Sequence, residues 1–359
     1  MSGSSGGNLI YDTTTLVQVV PNLKRAQSFL LDKFFPNIIT SDSEFVAIDV
    51  DIGKRRMSPF VSPLVEGKMV ESRRIQTNVF KPAYIKDKRA PDLRRPVRRM
   101  IGERIGGDMT GAEREMANLE FEMTDQIDML TRRLEWMAAQ ALMTGTVTIA
   151  GDGFPTTVID FGRSPTLTLL LTGAAQWGQA SNFNAAGLDP VPTASIDTWQ
   201  HDILKSSGAM VTDIIFTPTP WTRFLASVGV QGAVYYPKLG DGNDLNPGAQ
   251  IARGGVYKGR WGQYDCWVYN DWYVDENNVE QPMIPDGTVM MGGPELMGTR
   301  GFGIIVDPDF NYQSMPFAPK TWTSKDPAQR LIMMQSAPIV IPSRVNAFLA
   351  ATVCAGALN

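Results

Sequence analysis

Residues 108–143 read DMTGAEREMANLEFEMTDQIDMLTRRLEWMAAQALM. Apolar residues fall at Met109, Ala112, Met116, Leu119, Met123, Ile127, Leu130, Leu134, Met137 and Ala141, in steps of three and four throughout. That spacing gives a helix one apolar stripe and leaves its other faces to water. No proline interrupts the run, and Gly111 is its only weak helix former. Glu113, Glu115, Glu120 and Glu122 crowd the first half while Arg132 and Arg133 come later, the order that the helix dipole favours. Gly145 is the stop signal. Unbroken, the helix would be about 50 Å long, at about 1.5 Å per residue. Such length suits a strut better than one of several packed core helices.

Downstream of the strut, Thr146–Ile149, a Gly-Asp-Gly turn at 151–153 and Thr157–Phe161 predict a hairpin. A looser stretch rich in Gly, Asn and Pro runs to about Pro192 and reads as a hinge into a second unit. There Ser195 is expected to cap a helix running through Lys205 and ended by Gly208, with a second helix at Trp221–Val228. Strands are expected at Val211–Phe216, Asp265–Tyr269, Trp272–Val274, Thr288–Met291 and Phe302–Val306. This mix describes an α+β fold. Gln329–Ile341 (QRLIMMQSAPIVI) reads as one long returning strand, and Asn346–Val353 closes the chain.

Upstream, residues 1–56 form an arm with no self-sufficient core: β-branched Thr13–Val20, a short helix at Leu23–Phe35, and alternating Glu44–Ile52. The cluster ending in Phe34 and Phe35 needs burial against a neighbouring domain or subunit. From Met57 to Lys88, short β-type runs are punctuated by Pro59, Pro63, Gly67 and Pro82. The pattern predicts a long two-stranded excursion, which is marginal in water by itself and must lie on something.

The totals narrow the function. A chain of 359 residues with 43% apolar and 19% charged residues has ample core and is not disordered, and its net charge of −4 argues against a protein that coats nucleic acid. Cys266 and Cys354 have no metal or redox spacing and read as reduced buried thiols. The opening MSGSSGGNLIYD has no secretory pattern, and the apolar stretches at 166–171 and 347–358 fall short of the ~20 residues of a membrane helix. No membrane partner is expected. His201, the single histidine, sits in SIDTWQHDILKS and reads as structural. One histidine and two lone cysteines build neither a triad nor a zinc set. Asp241, Asn243, Asp244 and Asn246 imitate a calcium loop, but Ala252 stands where its bidentate Glu belongs. Gly106–Gly111 lacks the Lys-Ser/Thr of a phosphate loop. No catalytic residue, cofactor or metal is expected.

Charge is distributed unevenly. Residues 54–104 carry 15 basic and 5 acidic side chains, net +10, while the remainder carries 18 basic and 32 acidic, net −14. The run Arg94-Arg95-Pro-Val-Arg98-Arg99 has no interleaved aromatics for base stacking. It is therefore expected to lie on an acidic face of a neighbouring subunit and set register there, rather than to grip DNA.

Five segments resemble, in order, the lambda-like phage major capsid proteins (the gpE family), which have the Hong Kong 97 fold. They are SPFVSPLVEGKMVESR with FKPAYIKDK (58–88), VIDFGRS (158–164), VYKGRWGQYDCWVY (256–269), YVDENNVEQPMIPDGTVMMG (273–292) and KTWTSKDPAQRLIMMQSAPIVI (320–341). The resemblance implies an N-terminal arm (1–56), an extended loop (57–90), a peripheral domain (91–192) with its spine helix at 108–143, and an axial domain (193–317). It further implies a return strand to the peripheral domain (318–345) and a C-terminal segment (346–359) of unassigned placement. By the same resemblance the subunit is an α+β head protein that self-assembles into pentamers and hexamers of an icosahedral shell. Intersubunit contacts are expected at Lys68, Arg73, Arg74, Arg94, Arg95, Arg98 and Arg99. Some relatives with this fold crosslink through an extended-loop lysine; lambda-like members are instead reinforced by a decoration protein. A portal at one vertex and packaged double-stranded DNA, enclosed but not read for sequence, complete the implied partners. Residues 1–56 show no sustained heptads, so a separate scaffolding protein is expected. The implied location is the virion capsid, and the host cytoplasm during assembly. The alternatives are an encapsulin-like compartment shell and a soluble enzyme.

Overall fold

The computed structural model describes residues 28–51, 57–70, 75–91, 110–151, 153–184, 187, 189–227, 234–235, 251–252, 254–325 and 328–355. In chain order, helix α1 spans Phe29–Phe34, and strands β1 to β4 span Asn37–Thr40, Val46–Asp51, Ile75–Phe80 and Ile85–Arg89. The strut is α2, Gly111–Thr144, followed by β5 (Thr146–Gly151), β6 (Phe154–Asp160) and β7 (Thr168–Leu170). Helix α3 (Val191–Ser206), β8 (Asp213–Phe216) and helix α4 (Pro218–Leu225) precede the short pieces β9 (Val234–Tyr235) and β10 (Ile251–Ala252). Then come β11 (Gly255–Trp261), β12 (Tyr264–Tyr269), β13 (Trp272–Val274), β14 (Glu280–Pro282), β15 (Thr288–Gly292) and β16 (Gly298–Phe302). The chain closes on β17 (Ala318–Lys325), β18 (Ala328–Ser336), β19 (Pro338–Pro342) and β20 (Leu349–Thr352).

The strut forms as its sequence dictates. Thr110 and Glu113 close a reciprocal capping box, and Gly145 ends the helix in the left-handed conformation at φ 72°. Its first turns stand clear: Ala112 and Met116 are exposed, and burial of the stripe begins at Leu119. Leu119, Met123, Ile127 and Leu130 pack on Ile332 and Met334 of a three-stranded sheet ordered β17-β18-β4. From Leu134 to Leu142 the helix enters the main core, which also takes in α1, β19 and Phe348.

An eight-stranded sheet, ordered β10-β11-β12-β8-β15-β20-β7 with β9 added on β11, carries the second half of the fold. Ile196, Trp199 and Ile203 of α3 and Phe224 of α4 fill its second core, where Trp177 stacks on Trp199 at 5.8 Å.

Several elements differ from the sequence reading, each for a physical reason. Ser195 does not cap α3: Pro190 and Pro192 start the helix five residues earlier, and Ser195 Oγ donates back to Val191 O at 2.8 Å. The strand expected at 302–306 is Gly298–Phe302; its glycines pack against Phe35 and Ile339, a close approach that propensity does not encode. The long strand expected at 329–341 is two strands, because Pro338 has no N–H to continue the ladder; β18 pairs with β17 and β4, while β19 pairs with β16. The closing segment, unassigned from sequence, forms β20 between β15 and β7 in the eight-stranded sheet. That places 168–170 in the same sheet rather than with the strut.

The excursion also begins earlier than expected. Its ladder pairs β2 with β3 from Val46–Phe80 to Asp51–Ile75, so 46–51 serves as one rail. Residues 57–70 contain no strand, and 85–89 joins the sheet under α2.

Candidate assembly site

Two features carry the site: a bare apolar loop, and the anchor that holds its root. Residues 57–70 are exposed throughout, although Met57, Phe60, Leu64 and Met69 are apolar and reach 88%, 102%, 96% and 101% exposure. None of the described residues covers them. Burying such a side chain is worth roughly 1.5–3 kcal/mol, so the four together hold on the order of 10 kcal/mol of unrealised association energy. Prolines at 59 and 63 keep the segment out of a ladder. Lys68 is exposed on this loop. Arg73, Arg74, Arg94, Arg95, Arg98 and Arg99 lie outside the described residues.

The anchor is α1, which the sequence reading expected as a short helix at Leu23–Phe35 ending in a phenylalanine cluster, without its partners. Phe29, Leu30, Leu31, Phe34 and Phe35 are all buried in the main core. Glu135, wholly buried on α2, receives the first N–H groups of α1: Leu30 and Leu31 N–H donate to its Oε1 and Oε2 at 2.8 and 3.0 Å. Tyr269 Oη donates to Oε1 at 3.1 Å. Burial pushes the Glu135 carboxyl up to about 7 against the pull of these three donors. At the other end of α1, Lys33 pairs with Asp213 at 2.7 Å and lies 4.2 Å from the Trp267 ring centroid, while Trp267 Nε1 also donates to Asp213. Arg300 completes the clamp, donating to Phe35 O and pairing with Asp32 at 2.7 Å. One short helix thus ties the strut, the eight-stranded sheet and β16 together. A lone Glu beside Leu134 on the inward side of α2 was the available signal.

Arg163, in the VIDFGRS segment, caps the far end of α2. It donates to Leu142 O at 2.6 Å and to Phe348 O at 3.0 Å, and burial lowers it to about 10. Arg89, from the basic run, pairs within its own chain with Glu122 at 3.2 Å and Asp125 at 2.5 Å on α2. Cys266 and Cys354 are free and buried, and burial pushes their thiols up to about 12 and about 11. His201 is exposed, its Nδ1 at 2.7 Å from Asp197 O. Among the described residues no three His, Cys, Asp or Glu side chains gather as metal ligands, and no helix is long and apolar enough to cross a membrane. The resembling calcium loop and the Gly106–Gly111 stretch fall almost entirely outside the described residues.

A solved structure of a putative prophage capsid protein from E. coli CFT073 superposes with a TM-score of 0.72 at 18% identity, covering 96% of this chain and 99% of the other. The capsid subunit of cyanophage A-1(L) gives 0.51 at 11% identity over 98% and 95% of the two chains. These define the fold as the Hong Kong 97 type. In sequence, the major capsid protein of Escherichia phage lambda is 27% identical over 345 residues, covering 95% of this chain and 98% of its own length. That of Escherichia phage N15 is 28% identical over the same extent. The family model for phage major capsid protein E matches residues 12–353. The chain belongs to that family: it is a major capsid protein of a tailed bacteriophage, a structural subunit of the virion shell.

Proposed function

We propose that the subunit builds pentamers and hexamers of an icosahedral head, with the excursion rooted at β2 and β3 lying across a neighbouring subunit. The observation that supports this is the exposed apolar set Met57, Phe60, Leu64 and Met69, which no described residue of its own chain covers. In this reading the α2 unit with its three-stranded sheet is the peripheral domain, and the eight-stranded sheet with α3 and α4 is the axial domain that gathers around capsomer axes. Lys68, Arg73, Arg74, Arg94, Arg95, Arg98 and Arg99 lie between subunits and match acidic faces of their neighbours. The shell encloses double-stranded DNA without reading its sequence, receives a portal at one vertex, and is reinforced by a decoration protein. A separate scaffolding protein directs its curvature in the host cytoplasm. The subunit has no catalytic step of its own. Electron microscopy of the purified chain tests the reading: capsomers, tubes or shells are expected at high concentration, and a monomer at every concentration would refute it.

A further inference from the structure

The strut outruns the sheet beneath it. Leu119 is the first residue of its apolar stripe to be buried, in the cluster with Ile332 and Met334 of β18. Ahead of it the stripe continues through Ala112 and Met116, both exposed, Met116 at 53%. A Cβ placed on Gly111 would meet nothing within 4 Å. From Gly111 to Asn118 the helix therefore overhangs by about 12 Å, at about 1.5 Å per residue.

Carboxylates edge this bare strip on both sides. At about 100° per residue, Glu115 stands to one side of Met116 and Glu113 and Glu120 to the other, while Arg114 projects from the far side of the helix. Glu113 closes the capping box with Thr110. Among the described residues, no lysine or arginine lies within ion-pair distance of Glu115 or Glu120. Arg89, the cation that β4 brings to α2, is spent further along the helix on Glu122 and Asp125.

A strip that is apolar in the middle and acidic along its edges fits a segment of the inverse pattern. Arg94-Arg95-Pro96-Val97-Arg98-Arg99 has that pattern: two arginines, an apolar pair, two arginines. We propose that the overhang of α2 receives residues 94–99 of a second copy, with Pro96 and Val97 against Ala112 and Met116 and the arginines on Glu115 and Glu120. The proposal rests on the reading that these arginines act between subunits, and it assigns the face they meet. Each subunit then gives one segment and offers one overhang, a head-to-tail contact of the kind that closes into rings. Covering the apolar pair supplies attraction, and the flanking charges set the register. The planar fork of arginine matches a carboxylate better than an ammonium group does. Each such pair is weak and screened by salt, so the contact acts through its repetition over many subunits.

Charge exchange tests the pairing. R95E/R98E and E115R/E120R should each abolish assembly in sedimentation while circular dichroism stays that of the parent, and R95E/R98E/E115R/E120R should assemble again. Glu113 is left in place to keep the capping box. Normal shells from R95E/R98E would overturn the reading that the arginines act between subunits. Loss in that variant with normal shells from E115R/E120R, or with no recovery when all four changes are combined, would overturn the choice of α2 alone. Cysteine pairing then separates a second copy from the segment's own chain, and it holds whether or not the reversed chains fold. R98C subunits mixed with E120C subunits and oxidised should give dimers joined from 98 to 120, read by mass spectrometry. The parent, whose Cys266 and Cys354 are buried, should give none. Absence of the mixed dimer overturns the proposal, and a disulfide that closes within a chain carrying both cysteines would place the segment on its own helix.

Discussion

Replacing Glu135 by Gln tests whether a buried acid holds the arm in place. In the native subunit the two carboxyl oxygens accept the second and third N–H groups of α1 and the Tyr269 hydroxyl. A carboxamide keeps one accepting oxygen and sets an NH2 in place of the other, so against the neutral acid present at pH 5 one buried backbone donor loses its partner, at a cost of about 1–3 kcal/mol. The acid also carries a pH-dependent penalty that the amide lacks. Its folded-state value, near 7, stands above the ordinary 4.5, so the folded subunit binds the extra proton between these limits. Stability from this group is complete below about pH 4.5 and is lost as pH rises through 7, a total of about 3 kcal/mol at 1.36 kcal/mol per unit. The variant should therefore be less stable than the parent at pH 5 and close to it at pH 8. Urea denaturation of the isolated subunit across this range measures the difference, and hydrogen exchange at Leu30 and Leu31 localises it. A gap that stays constant with pH, or unchanged exchange at both amides, would refute the reasoning.

Other outcomes follow from the same contacts. Gly298→Ala sets a Cβ against the Phe34 carbonyl and the Phe35 ring, and overpacking there should cost about 1–3 kcal/mol in denaturant unfolding. Phe60→Ser with Leu64→Ser alters two exposed side chains that no described residue covers, so its melting temperature should hold while sedimentation shows assembly lost; normal shells would remove the loop from the interface. Charge reversal at Arg94, Arg95, Arg98 and Arg99 should block assembly and leave the circular-dichroism spectrum intact, and normal shells from the reversed protein would show that these residues do not act between subunits.

The parts of the fold that were legible are those with local causes. The strut declared itself through its spacing, its acidic first half and Gly145, because each acts within a few residues along the chain. The hairpin of β5 and β6 and the strand Trp272–Val274 were readable for the same reason. Strand partners were not. The rail 46–51 alternates as a strand does, yet nothing within it says that its partner is 75–80 rather than another arm element. β20 is short and rich in alanine, and only its place between β15 and β7 makes it a strand.

The site divides along the same line. The excursion could be read as unsupported because a two-stranded ribbon is marginal in water by itself, and its bare Phe60 and Leu64 agree with that, although 57–70 holds no strand. The anchor could not, since Asp32, Lys33, Glu135, Asp213, Tyr269 and Arg300 are separated by up to 268 residues and each is unremarkable alone. What links them is the start of a six-residue helix too short to persist without partners. Its backbone donors need an acceptor in a place water does not reach, and only a carboxylate from the strut supplies one. The buried acid and the short helix therefore require each other. The excursion leaves the core only a dozen residues after that helix, so firmness at Glu135 sets where the bare loop is presented to a neighbour.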